Sequence, residues 1–245
     1  KEKRSYENLF FQAESNFNDL FYLSAGINGN LTRFDYNDQF TSNGDQLGNY
    51  SYKPVISPRI GFNYVIAPGF SFFGNLSHGF STPTFEETLL PEGEINKDIK
   101  PETGWNAEAG LRTVIDDRLT ATLSYYRIYV KNLLVARRTG QDAYIGVNAG
   151  ESLHPGLEAA FRLIILERGN YPLFSINGNA TIANYHFREF VDDGTDYSGN
   201  LLPGTTKNTW LLAANFGPVE SLNFHAWHSH PGKMPVHDAT SDFTN

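Results

Sequence analysis

Apolar and polar residues alternate along most of this chain, in segments of about ten residues. Side chains of a β-strand point alternately to opposite faces, so a period of two predicts strands with one apolar and one polar face. The segment 103–115 shows this pattern clearly. Its apolar face would carry Trp105, Ala107, Ala109, Leu111, Thr113 and Ile115, and its polar face Asn106, Glu108, Gly110 and Arg112.

The pattern predicts ten strands, near 5–16, 20–34, 54–66, 70–80, 103–115, 119–130, 152–166, 172–187, 208–216 and 221–230. Short turns rich in Asn, Asp, Gly and Pro alternate with long connections, which cover roughly 35–53, 81–102, 131–151, 188–207 and the residues from 229 onward. Outer-membrane barrels have short turns at one end and long loops at the other. We therefore predict an all-β antiparallel meander, part of a transmembrane β-barrel, in one domain over 1–245.

Alternation alone does not say which face points inward. Apolar faces on nearly every strand would overfill a small soluble core. Aromatic residues also gather near the predicted strand ends, as an interfacial girdle requires: Trp105, Tyr129, Tyr144, Tyr185, Trp210 and Trp227. Both features favour an apolar face on lipid and a polar face on the lumen.

The arginines test this orientation, because an arginine facing lipid at the bilayer midplane costs about 2–4 kcal/mol. Arg59, Arg112 and Arg162 fall on the polar face. Arg127 shares parity with the apolar residues, so it either lies at the extracellular rim or follows a bulge that switches the frame.

Composition narrows the function. The 245 residues contain no cysteine and carry a net charge of −8, which argues against Cys-based metal sites and against a nucleic-acid surface. No resident cofactor is expected. No apolar run is long enough for a transmembrane helix, and no signal peptide is predicted, so we expect a piece of an exported protein.

Several sequence blocks resemble TonB-dependent outer-membrane receptors of the ferric-siderophore type, as found in Bacteroidetes. They are SPRIG at 57–61, SHGFSTPTFEE at 77–87, IKPETGWNAEAG at 99–110, and the blocks at 125–133, 156–158, 202–204 and 232–236. The resemblance implies about ten strands, numbers 10 to 19, of a 22-stranded barrel that encloses a plug. The plug, the TonB box, the early strands and the last strands would be absent.

The resemblance further implies TonB-dependent, energy-coupled uptake of a ferric siderophore or similar chelate in the outer membrane of a Gram-negative bacterium. Its partners would be the TonB complex, the chelate, and outer-membrane lipid and lipopolysaccharide. The motif residues are expected to be architectural, with prolines fixing φ and glycines relieving crowding. These residues are Pro58, Gly61, Pro83, Glu86, Pro101, Glu102, Gly104, Gly110, Gly156 and Glu158.

Loop residues supply the candidate binding groups. Arg137, Arg138 and Tyr144 suit an anionic ferric chelate, or equally lipopolysaccharide phosphates at the rim. His228 and His230 share a face and, with His225 and His237, form a weak metal candidate; polar residues at a strand end are the simpler reading. The acidic segment 192–196 is read likewise as a solvated loop rather than a calcium site.

No nucleophile, acid/base pair or nucleotide motif indicates an enzyme. Three alternatives remain open: a passive porin or adhesin-like barrel, a soluble all-β binding protein, and uptake of haem, cobalamin or glycan by the same coupled mechanism.

Overall fold

A computed structural model describes residues 2–37, 47–88, 90, 96–138, 144–169, 171–192, 194–240 and 242–244. For nine of them it describes the backbone only: Glu2, Tyr36, Leu47, Phe85, Glu86, Ala136, Arg137, Arg138 and Tyr144.

The described chain is almost entirely β-structure. Its elements are β1 (Glu2–Phe17), β2 (Phe21–Asn37), β3 (Leu47–Ser51), β4 (Val55–Ala67), β5 (Phe70–Ser81), α1 (Phe85–Thr88), β6 (Glu102–Ile115), β7 (Leu119–Lys131), β8 (Leu134–Arg138), β9 (Tyr144–Asn148), β10 (Gly150–Arg168), β11 (Tyr171–Ala183), β12 (His186–Asp192), β13 (Thr195–Asp196), β14 (Asn208–Val219) and β15 (Leu222–Pro231). Ten long strands pair in the order β1-β2-β4-β5-β6-β7-β10-β11-β14-β15, each antiparallel to its neighbour. The predicted antiparallel meander is confirmed.

The short turns follow from side-chain chemistry. Asn18 and Asp19 between β1 and β2 have φ of 55° and 56°, and Asp116 and Asp117 between β6 and β7 have 48° and 55°. Asn and Asp tolerate this left-handed region better than other non-glycine residues. Two such residues in a row match the twist of a hairpin, so each turn reverses the chain tightly.

The long connections hold more structure than the sequence pattern predicts. Strands β3, β8, β9, β12 and β13 all form there. The four-residue helix α1 begins at a capping box, in which the Glu87 amide donates to Thr84 Oγ1 (3.3 Å) and the Thr84 amide donates to Glu87 Oε2 (2.6 Å). Among the described residues, no helix is long and apolar enough to cross a membrane.

The predicted strand 172–187 is wrong at its end, because β11 stops at Ala183 and β12 starts at His186. Beyond the last pair of this register, Gly156 with Ala183, the Asn184 amide donates to the Pro155 carbonyl oxygen at 3.0 Å. Pro155 has no amide hydrogen to donate in return, and the β10–β11 ladder ends here. The chain then pairs again with the first residues of β10.

The two faces of the sheet differ in the predicted way. In β6, Trp105 and Leu111 on the apolar face are exposed, whereas Asn106 and Glu108 on the polar face are partly covered. A soluble sheet would bury its apolar face. The enclosed side of this wall is the polar side, as in a membrane barrel with a watery lumen.

The register resolves the position of Arg127. It pairs with Ala107 of β6 and Pro155 of β10 in ladders without a shift along β7. A bulge therefore does not switch the frame, and Arg127 lies on the outer, apolar face near the long-loop end.

The predicted girdle is only partly correct. Trp105 and Tyr129 are directly paired on the outer face, and Trp210 shares that face. Tyr185 instead forms a hydrogen bond with Tyr126 on the polar face, and the register places Trp227 on the polar face as well. The face on which an aromatic side chain lies depends on how its strand pairs, which the sequence pattern does not determine.

Aromatic rings lie over glycines on adjacent strands at four directly paired positions: Phe62–Gly74, Phe73–Gly110, Tyr126–Gly156 and Phe161–Gly178. A Cβ on Gly110 would lie 2.5 Å from Phe73 Cζ, and a Cβ on Gly156 would lie 2.3 Å from Tyr126 Oη. The glycine supplies the space and the ring covers the exposed backbone, a pairing that stabilises β-sheets.

We predict that Gly156→Ala destabilises the folded protein by about 1–3 kcal/mol, because the added methyl overpacks against the Tyr126 ring. Urea unfolding in detergent measures the change. Gly79→Ala is the matched control, since a Cβ there meets nothing within 4 Å. In the Tyr126→Ala background the same Gly156→Ala change should cost much less, and an equal cost in both backgrounds would contradict the steric explanation.

Candidate ligand-binding site

Two small apolar cores lie at the long-loop end of the sheet. The first contains Phe34, Tyr52 and Ile99, each 2% exposed, with Tyr50 and Leu134 packed against it. Burial, with the neighbouring Tyr50 as a smaller contribution, raises the pKa of the Tyr52 hydroxyl well above its ordinary value. This core fixes the base of the loops between β2 and β4 and between β5 and β6.

The second core contains Phe187, Phe190 and Leu202. Leu133 and Val135 pack against it, whereas Leu134 packs against the first core. Alternate side chains of the segment that enters β8 therefore contact different cores. The β8–β9 hairpin is held between them.

Hydrogen bonds fix the hairpin further. Asn148 Nδ2 lies 2.9 Å from the carbonyl oxygens of both Lys100 and Asn132, and its Oδ1 accepts the Lys100 amide at 2.7 Å. Glu102 Oε1 accepts the Leu134 amide at 2.7 Å. Because these bonds reach both strands, the base of the hairpin is rigidly oriented.

The predicted ligand residues lie on this hairpin. Arg138 pairs directly with Tyr144, and Arg137 precedes Arg138 on β8. The structure thus brings the backbones of Arg138 and Tyr144 together, while the side chains of all three lie outside the described set. Their contact with a ligand stays a prediction.

A polar cluster lies beneath the loops on the polar face, and sequence reasoning missed it. The Tyr126 and Tyr185 hydroxyls are hydrogen-bonded, and the His154 ring lies 5.0 Å from the Tyr185 ring. Ser152 Oγ lies 2.8 Å from His154 Nε2. In the sequence, the one feature that pointed to this cluster was the glycine at 156, which lies opposite Tyr126.

A cavity of about 460 Å³ opens beside this cluster. Its lining includes Tyr185, Lys207, His230, Lys233 and Phe243. The volume lies in the range of small-molecule sites. Two ammonium groups with aromatic rings suit an anionic ligand that carries planar groups.

The predicted histidine cluster does not converge. His228 and His230 share the outer face and lie beside Trp210, with ring centroids 5.0 and 5.9 Å from the Trp210 ring. His225 points to the other face and bonds Asn215, and His237 pairs with Asp242 at 2.9 Å. Within the described part of the chain, no three His, Asp or Glu side chains are grouped for a metal ion.

The acidic segment 192–196 makes hydrogen bonds within its own turn. Asp196 accepts the Ser198 amide at 2.9 Å, and its hydrogen bonds with Ser198 lower the pKa of its carboxyl group. Asp193 lies outside the described residues. Burial, together with the nearby Asp192, raises the pKa of Asp238.

The remaining motif residues have architectural surroundings. Pro83 is fully buried after β5, Pro101 precedes β6 and Pro58 lies within β4. A Cβ on Gly61 or Gly104 would come within 3.3 Å of Ser24 Oγ or 3.1 Å of the Tyr129 oxygen. Glu158 is exposed on the polar face of β10, and the Glu86 side chain lies outside the described set.

Comparison with known proteins matches residues 1–243 to a family model described as TonB dependent receptor-like, beta-barrel. The chain belongs to the TonB-dependent receptor β-barrel family. No curated protein sequence matches it.

Solved receptors of this kind share the fold. The chain is similar to the siderophore receptor PiuA from Acinetobacter baumannii, with 16% identity, a TM-score of 0.76, and coverage of 99% of this chain and 35% of PiuA. It is also similar to the unliganded ferric citrate transporter FecA, with 17% identity, a TM-score of 0.77, and coverage of 98% and 34%. The copper transporter OprC is similar as well, with 14% identity, a TM-score of 0.73, and coverage of 95% of this chain and 36% of OprC. The chain therefore spans about a third of the length of these structures.

We predict that Asn148→Ala loosens the β8–β9 hairpin, because three hydrogen bonds to Lys100 and Asn132 are lost. Hydrogen exchange of the amides in β8 and β9, at 134–138 and 144–148, should become about tenfold faster. Asn215→Ala is the control, since it removes bonds to Ser175 and Asn177 on distant strands. Equal exchange in Asn148→Ala and the unmodified receptor would show that the apolar cores alone hold the hairpin.

Proposed function

We propose that this chain forms part of the wall and loops of an outer-membrane receptor that takes up a ferric siderophore or similar metal chelate. The observation that carries the proposal is the cavity at the long-loop end, lined by Lys207, Lys233 and Tyr185. It occupies the end that faces the outside in outer-membrane barrels.

The chemistry of the cavity supports a chelate as the ligand. Ferric chelates are commonly anionic and many carry planar aromatic groups, which ammonium groups and aromatic rings both bind. PiuA and FecA are a siderophore receptor and a ferric citrate transporter by description. Identities of 16% and 17% support the fold alone, so the ligand class for this chain is our proposal.

Energy coupling is the second part of the proposal. A plug carrying a TonB box would fill the lumen, and the TonB complex would pull on it to open a path. The enclosed polar face supports this, because residues such as Asn75, Glu108 and Arg112 offer hydrogen bonds and charge to a protein occupant. The metal is cargo and needs no resident cofactor, and outer-membrane lipid with lipopolysaccharide surrounds the wall.

We expect deletion of the whole gene to abolish growth on one iron chelate under iron starvation. Growth with a panel of ferric chelates as sole iron source measures this. Unchanged uptake of every chelate, haem and cobalamin would reject the proposal. Uptake that persists after loss of TonB would instead indicate a passive barrel.

The cavity itself is tested by the double substitution Lys207→Gln and Lys233→Gln in the full receptor. Loss of the two charges should raise the half-saturating concentration for uptake at least tenfold, at unchanged surface level. Lys53→Gln, an exposed lysine outside the cavity, is the control. A double variant that transports as the control does would place the ligand elsewhere in the loops.

A further inference from the structure

Arg127 is a cation on the lipid-facing side of the wall, and none of the described residues pairs with it. Its neighbours in register are Ala107 and Pro155, and Tyr125 and Tyr129 flank it along β7. Among the described residues, no carboxylate or other polar group pairs with its guanidinium. Arg33, in β2 on the same face of the sheet, differs in having a partner, because its Nη1 lies 3.2 Å from Glu7 Oε1.

The depth of Arg127 explains why it needs an anion. It lies eight residues (127 − 119) beyond Leu119, the first residue of β7. With Leu119 taken as the inner edge of the apolar band, about 3.4 Å per residue and a tilt of about 40° put Arg127 roughly 21 Å along the membrane normal, within a band about 25 Å tall. The residue therefore sits just inside the outer boundary, where its side chain can extend to the headgroups.

The wall around Arg127 is complete. Both neighbouring strands, β6 and β10, are present and fully paired at this level. Further strands of the barrel would join at β1 or β15, far from this position in the sheet order. What covers Arg127 from outside is therefore membrane lipid.

A second set of charges lies directly above. The Tyr129 ring is contacted by Lys131 Nζ at 5.3 Å and by Arg188 Cζ at 4.9 Å from its centroid. Glu151 lies between them, 3.9 Å from Lys131 Nζ and 3.8 Å from Arg188 Nη1. With Glu189 nearby, this rim and Arg127 carry a net charge of +1, from three cations and two carboxylates.

We propose that Arg127, assisted by Lys131 and Arg188, binds a phosphate group of lipopolysaccharide in the outer leaflet. A guanidinium forms two parallel hydrogen bonds to a phosphate, and the flanking tyrosines suit the boundary between acyl chains and headgroups. The inference rests on the proposed outer-membrane location but not on the identity of the transported ligand.

The test uses the full-length receptor purified in mild detergent, with bound lipopolysaccharide counted by native mass spectrometry. Arg127→Gln should retain about tenfold less of it, the effect of losing one charge-assisted contact. The variant Lys131→Gln with Arg188→Gln should lose several-fold. Arg33→Gln on the outer face and Arg162→Gln on the polar face are the controls and should retain it fully.

A rebinding measurement identifies the chemical group. Delipidated receptor should bind phosphorylated lipid A and fail to bind the same lipid after removal of its phosphates. Equal binding of both lipids, equal retention by Arg127→Gln, or displacement by millimolar inorganic phosphate would each overturn the proposal. Chelate transport is not measured here, so failure of this site leaves the proposed uptake function intact, and loss of uptake leaves this site intact.

Discussion

Backbone hydrogen bonding in lipid is the constraint on which the rest of this structure depends. No water is present in the hydrocarbon layer, so every amide and carbonyl group must find a partner within the sheet. The continuous series of antiparallel pairings from β1 to β15 meets most of this requirement for eight of the ten long strands, which have a partner on both sides. The two outermost, β1 and β15, satisfy it only with further strands beside them, so the wall works as part of a closed barrel.

Once the ladders are fixed, the period of two decides what each face can be. The outer face holds Leu, Phe, Ile and Trp side chains that stay exposed in the isolated wall, and the enclosed face holds Asn, Glu and Arg. Glycines such as Gly110 and Gly156 let the rings of Phe73 and Tyr126 lie flat across the polar face. Rings in these places limit the volume of the lumen, which is otherwise lined by hydrogen-bonding groups.

The parts of the fold that depend on local chemistry could be predicted from the sequence. Alternation located all ten strands, and pairs of Asn and Asp residues located two of the hairpin turns. The break after Ala183 could not be predicted, because it lies beside Pro155, which belongs to a different strand. The cavity could not be predicted for the same reason, since Lys207 and Lys233 come to line one cavity only through folding. The capping box at Thr84, by contrast, is a local sequence pattern that could have been predicted and was not.

The long-loop end is where the demands of membrane and ligand meet. Outward-facing residues there, Trp105, Arg127 and Tyr129, must match the headgroup boundary, which sets the height of the wall in the bilayer. The same strands continue upward into the two apolar cores that hold the β8–β9 hairpin. Because β7 and β10 serve both purposes, a contact that anchors the rim to lipid also fixes the platform from which the loops reach a ligand.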